Sequence, residues 1–139
     1  MRILVDASLL VAAFVEAEIH HASAIVWLNG AVDNDGSLVM ASHTIAEVYA
    51  GLTKANRVPP IQAGHIIEHL LSMVDQVIEL SREDYGRAVA RVAADDLKGG
   101  IIYDAVLAQA ARKAGADSIV TLNQKHFALV WPAEKLVTI

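Results

Sequence analysis

The sequence predicts an α/β fold of three layers, with helices on both faces of a mostly parallel sheet of about four to five strands. Three observations predict it. Short apolar runs, Ile3 to Val5, Leu38 to Ala41, Val77 to Leu80 and Ser118 to Leu122, recur between stretches of helical character, and that alternation builds a parallel sheet layered between helices. The runs are continuous rather than alternating, as expected of strands buried on both faces. Helix starts and stops (Ser42, Pro59-Pro60, Ser81, Gly115) fall between them.

Taken in order, Ile3-Leu4-Val5 forms the first strand, and Asp6 arrives where it ends. Leu9 to Val15 reads as a helix and His20 to Ala31 as a second, bearing Ile25, Val26 and Leu28, before the turn residues Val32 to Gly36. Ser42 is a natural N-cap after the second strand. Ile45, Val48, Tyr49 and Leu52 then make one apolar helical stripe. Glu47 lies roughly 150° from the centre of that stripe at 100° per residue, so periodicity alone makes it solvated.

Pro59-Pro60 opens a helix through His69 to Leu71, proline being tolerated in the first turn. Ile66, Leu70 and Met73 are its packing face. Ser81-Arg82-Glu83-Asp84 has the spacing of a capping box for a helix through Val92, and Asp95 to Gly100 is a polar loop. The next helix runs from Ile101 to Ala114, with a polar wedge of Gln109, Arg112 and Lys113, and stops at Gly115. Asn123 follows the fourth strand, and Leu136 to Ile139 supplies a fifth.

A chain of 139 residues is expected to form a single domain, residues 1–139. Hydrophobic residues make up 55% and charged ones 19%, which excludes disorder and points to surface buried against a partner. The longest uncharged run, Ile19 to Val32, has 14 residues, short of the about 20 that a membrane span needs. Asp6 interrupts any secretory signal, and without cysteine there is no disulfide and no thiolate chemistry. A cytoplasmic protein is expected. The net charge of -5 argues against a protein that coats nucleic acid, though not against a nuclease whose carboxylates carry cations.

Asp6 after the first strand, Asp104 in the first turn of its helix and Asn123 after the fourth strand can converge at the carboxyl edge of the sheet, where such folds bind ligands. Each also has a plainer reading. Asp6 can cap a helix, Asp104 can complement the helix dipole, and Asn123 can simply turn the chain. His65-Ile66-Ile67-Glu68-His69 matches the H-x-x-E-H pattern of inverted zinc peptidases, but a third ligand would have to come from elsewhere, and solvated histidines are the simpler expectation. Ser8 stands two residues after Asp6, where haloacid-dehalogenase-like phosphatases carry a second acid.

Ile-Leu-Val-Asp6-Ala-Ser8, Glu47-Val48, Tyr103-Asp104-Ala-x-x-Ala-x-Ala and Thr121-Leu-Asn123-x-x-His126-Phe127, in that order and across nearly the whole chain, resemble the PIN domain. Specifically they resemble the small ribonuclease toxins of VapC type from toxin-antitoxin pairs. The resemblance implies a PIN-like fold and an endoribonuclease in which Asp6, Glu47 and Asp104 hold Mg2+ or Mn2+, with Asn123 where many relatives have a fourth acid. It also implies a homodimer, an inhibitory antitoxin partner and hydrolysis to a 5′-phosphate and a 3′-hydroxyl. Ser8 matches a position where the family often has Ser or Thr beside the metal, and it can equally be a hydroxyl at a helix start. Mutually repelling carboxylates suit such an ion, and magnesium takes a few of them together with water. A catalytically weak PIN-fold module that binds RNA or protein is the alternative, and a zinc peptidase using His65 and His69 a remote one. Lys54, Arg57, Arg87, Lys98, Arg112 and Lys125 are candidate phosphate contacts.

Overall fold

In the computed structural model, which describes residues 1–139, five strands form one sheet: β1 (Arg2–Val5), β2 (Ser37–Ala41), β3 (Gln76–Ile78), β4 (Ser118–Val120) and β5 (Leu136–Val137). Every pairing is parallel and the order is β3-β2-β1-β4-β5. The helices are α1 (Ala7–Phe14), α2 (His21–Asp33), α3 (Ser42–Ala50), α4 (Pro60–Met73), α5 (Arg82–Ala94), α6 (Ile101–Ala114) and the single turn α7 (Gln124–Phe127). The three-layer expectation therefore holds, with all five strands parallel.

Strand parity explains the layers. Side chains of a strand alternate between faces, so Ile3 and Val5 enter one core and Leu4 the other, just as Leu38 and Met40 oppose Val39 and Ala41. The first core is closed by Leu9 and Leu10 of α1, Leu28 of α2, Val48 of α3 and Leu70 of α4. The second is closed by Leu107, Ala108, Ala110 and Ala111 of α6, on which Ala88 and Val92 of α5 pack with Ala105 and Val106. The small side chains of α6 let its backbone lie close to the central strands.

Several local expectations shift. Ser42 is the first residue of α3 rather than its cap; Ala41 holds the cap position, with no side-chain hydrogen bond. On the same helix Tyr49 is exposed while Thr44 is fully buried, so the inward face centres on Thr44 and Val48. At 100° per residue this moves Glu47 to about 80° from that centre, the flank of the buried face. A π-helical stretch, Gly51–Ala55, follows directly. A Cβ on Gly51 would come 2.9 Å from Cγ2 of Val11, so glycine lets α1 approach there. Gln109, expected in a polar wedge, is buried and donates to Asp84 Oδ1 at 3.2 Å. The capping box of Ser81 and Asp84 and the left-handed stop at Gly115 (φ 62°) form as expected.

Candidate active site

In the order β3-β2-β1-β4-β5 the chain leaves β1 toward one edge of the sheet and returns to the other side with β4, so β1 and β4 flank a topological switch point, the place where open α/β sheets bind ligands. Asp6 stands there at the end of β1, its N–H donating to the Val120 carbonyl of β4 at 3.0 Å. Although Asp6 precedes α1, its carboxylate makes no capping bond. Instead Ser8 Oγ and Thr121 Oγ1 both donate to Oδ2, at 2.6 and 2.7 Å. The two hydroxyls are themselves oriented, since Ser8 Oγ accepts from Leu122 N at 3.0 Å and Thr121 Oγ1 from Asn123 N at 2.9 Å. The result is a 7%-exposed carboxylate fixed through one oxygen.

Glu47 approaches from α3. Burial raises its pKa, the nearby His43 opposes the rise, and the charges of Asp6 and Asp104 add to it. Its Oε1 lies 3.4 Å from His43 Nδ1, one turn back on the helix, while its buried Oε2 has no hydrogen-bond partner. The His43 ring stacks on Tyr103, with centroids 5.8 Å apart and planes at 22°. The histidine thereby bridges the side chains of α3 and α6.

Asp104 sits in the first turn of α6. Its pKa is raised to about 6, by burial first and by the charge of Asp6 second, with His126 working against both. His126 Nδ1 is 3.8 Å from Asp104 Oδ2 and 2.9 Å from Asn123 Nδ2. Asn123 precedes α7 without capping it through its side chain. A pocket of about 520 Å3 is lined by Asp104, Asn123 and His126 together with Lys98, Leu97 and Leu129.

Three acids on three separate elements thus act on one another electrostatically at the switch point. Their side chains are not drawn into a tight cluster, and no three His, Asp or Glu groups stand at coordinating distance from a common point. In donor chemistry the set fits a hard divalent cation, with hard oxygen donors, mutual repulsion to relieve and one buried carboxylate oxygen left unpartnered.

Residues 3–130 match the PIN domain family. The chain belongs to that family. Solved structures similar to this PIN domain include VapBC2 from Rickettsia felis bound to a DNA fragment from their promoter (TM-score 0.73, 21% identity, 99% of this chain and 98% of that one). VapC20 from Mycobacterium tuberculosis, a sarcin-ricin loop cleaving toxin, is also similar (TM-score 0.73, 18% identity, 91% and 93%). No curated protein matches the sequence.

Two side chains of the PIN domain site escape sequence reasoning. Thr121 belongs to the matching motif, but only the register of β4 beside β1 shows that its hydroxyl serves Asp6. His43 carries a detectable signal, its i, i+4 spacing to Glu47. His65 and His69 are exposed on α4 with no third ligand beside them, and His69 rests edge-on against Phe14 at 6.0 Å. Phe127 is fully buried in the second core. No helix is long and apolar enough to cross a membrane.

Proposed function

We propose that this PIN domain is a divalent-metal-dependent endoribonuclease, the toxin of a two-protein module acting in the cytoplasm, and that Asp6, Glu47 and Asp104 hold Mg2+ or Mn2+. One observation carries the reading. Acids from three elements face the switch point, two of them with pKa values raised by burial and by the charge of neighbouring acids, an arrangement that is unfavourable for folding and useful for holding a cation. When bound, the ion supplies positive charge that acidifies water and offsets charge on the phosphate.

The chain's own groups prepare that site. Ser8 and Thr121 fix Asp6 through Oδ2, which leaves Oδ1 available as a ligand. His43 Nδ1 stands 3.4 Å from one oxygen of Glu47 without hydrogen-bonding it, and the other oxygen is unpaired. Asn123, bonded through its amide nitrogen to His126, keeps an uncharged carbonyl oxygen out of that bond and lines a pocket together with Asp104. Because the three acids stand apart, an ion held by all of them would require their side chains to turn inward.

The similarity to VapBC2 supports an antitoxin partner, and a homodimer fits the large apolar side chains left in solvent, among them Ile19, Val26 and Ile61. The test is incubation of defined RNAs with and without magnesium or manganese, beside the Asp104→Asn variant. Metal-dependent cleavage by the wild type alone is expected. RNA binding without cleavage under every metal condition would overturn the nuclease reading in favour of a binding module. A single sedimenting species of monomer mass at micromolar concentration would remove the homodimer, and failure of the neighbouring gene product to co-purify would remove the antitoxin.

A further inference from the structure

The pocket beside Asp104 is the first of three that adjoin one another along α6. Leu97 and Leu129, which line it, also line a second pocket of about 290 Å3, and that pocket shares Arg91 and Arg112 with a third of about 580 Å3. The three run along α6 from its first turn to its last. From Asp104 to Arg112 is eight residues, about 12 Å of helix.

The far end is opposite in character to the near one. Arg87, Arg91, Arg112 and Lys113 line it against two carboxylates, Glu83 and Asp84, and no apolar residue does. Four of the chain's eleven Lys and Arg residues therefore gather in one pocket of a protein whose net charge is -5. Lys113 is occupied, donating to Asp84 Oδ2 at 2.7 Å and to the Glu79 carbonyl at 2.6 Å. The three arginines are not: none is paired with a carboxylate.

Arg112 is held in place all the same. Its guanidinium lies 5.4 Å from the centre of the Trp131 ring and donates through Nη2 to the Val130 carbonyl at 2.7 Å. That uses one face and one nitrogen of a group with five N–H donors, and leaves it close enough to Arg91 for the two charges to repel. Three arginines gathered in one pocket without an ion-pair partner, even with Glu83 and Asp84 beside them, make a seat for an anion, and planar guanidinium forks match phosphate oxygens.

We infer that Arg87, Arg91 and Arg112 seat a phosphate of the RNA strand, about 12 Å along α6 from the bond held at the carboxylates, so that the surface along α6 is the track of a single-stranded flank. The inference rests on the ribonuclease reading and adds to it a place where the enzyme grips RNA away from the chemistry. It also separates these arginines from Lys54, Arg57 and Lys125, which line none of the three pockets.

The experiment measures binding of a fluorescein-labelled single-stranded RNA by anisotropy, in the Asp104→Asn background, with and without the pair Arg87→Gln and Arg91→Gln. Both arginines are exposed, and circular dichroism checks that the variants keep the fold. The pair is expected to weaken binding about five- to twentyfold and to flatten the plot of log affinity against log salt by about 0.7, the slope that one neutralised phosphate contributes on a single strand. With Asp104 intact, the same pair should raise KM for that RNA and leave kcat within about twofold. Unchanged affinity and salt slope would overturn the seat even if the wild type cleaves RNA. Arginine-dependent binding by a wild type that cuts nothing with either metal would keep the seat and overturn the ribonuclease reading. A pair that loosens a co-purified protein partner but leaves RNA affinity alone would overturn the inference, giving the arginines to an acidic peptide.

Discussion

Asp104 and Asp84 are both acids set against α6, one at its first turn and one facing its last, and their surroundings treat them in opposite ways. Asp84 is buried and receives four donors: Ser81 N at 2.8 Å, Ser81 Oγ at 3.0 Å, Gln109 Nε2 at 3.2 Å and Lys113 Nζ at 2.7 Å. The Lys113 hydrogen bond, followed by the Ser81 N–H, holds its pKa well below the usual carboxylate range. Asp104 has no close donor, only His126 at 3.8 Å, and burial with the charge of Asp6 lifts it to about 6. Residue type is the same in both. What separates a structural acid from a candidate ligand is whether the fold supplies its counter-charge or leaves it to be found outside.

The widest gap should appear in catalysis. Asp104→Asn and Asp6→Asn are expected to lower RNA cleavage by about a thousandfold or more, as when charge stabilisation of a transition state is removed, whereas Asp84→Asn should stay within a fewfold of wild type at temperatures where it remains folded. Glu47→Gln belongs with the first group, and wild-type activity for it at limiting magnesium would remove Glu47 from the ligand set.

Thermal melting at neutral pH should reverse the order. Asp84→Asn breaks a buried network and is expected to lower Tm by several degrees, while Asp104→Asn removes an unfavourable charge and should raise it. The shift of Asp104 from 3.8 to about 6, discounted for solvent screening, corresponds to about 1–2 kcal/mol. Its sign gives a pH window. A raised acid destabilises the fold once ionised, so the advantage of Asp104→Asn should be full above pH 6 and fade to nothing below pH 3.8. Stabilisation by Asp84 runs the other way, present above 3.8 and lost on acidification below it. Chemical denaturation of both variants across pH 3–8 measures the two trends, and a constant difference between Asp104→Asn and wild type over that range would dissolve the contrast.

A smaller effect concerns the ion itself. A ligand must lose its proton to bind, so manganese affinity by calorimetry should fall about tenfold per pH unit below about 6 in the wild type and less steeply in Asp104→Asn. The smallest expected change sharpens the edge of the site. Asn123→Asp should strengthen manganese binding without RNA, and Asn123→Ala should reduce cleavage by less than Asp104→Asn does. Unchanged affinity in Asn123→Asp would leave Asn123 a structural residue.

Much of this contrast is legible in sequence, though not evenly. The Asp84 end follows in part from local rules: a capping-box spacing identifies the acid and its cap, while the burial of Gln109 and the reach of Lys113 to Asp84 go unseen, because a polar residue in a helix reads as solvated until a second helix lies over it. The Asp104 end depends on residues distant in sequence. Glu47 reads as solvated because periodicity puts Tyr49 in the inward stripe and leaves Thr44 out, and it carries no information about which neighbour covers a flank. Asp6 and Asp104 are read from their places at a strand end and a helix start, and the family motif alone points to Glu47. The arginine pocket is invisible for the same reason, since Arg87 and Arg91 on α5 meet Arg112 on α6 only through the packing of those two helices.

The pair of hydroxyls on Asp6 has a consequence for how such a protein is made. Asp6 leaves the ribosome well before the Thr121 hydroxyl that orients it, which lies 115 positions later, and β4, which pairs with β1, is equally late. Contacts of such long separation form only when the intervening chain has emerged. A nascent chain therefore carries the acid without its setting, and a product truncated before Thr121 should lack both the hydroxyl that orients Asp6 and the register of β4 beside β1.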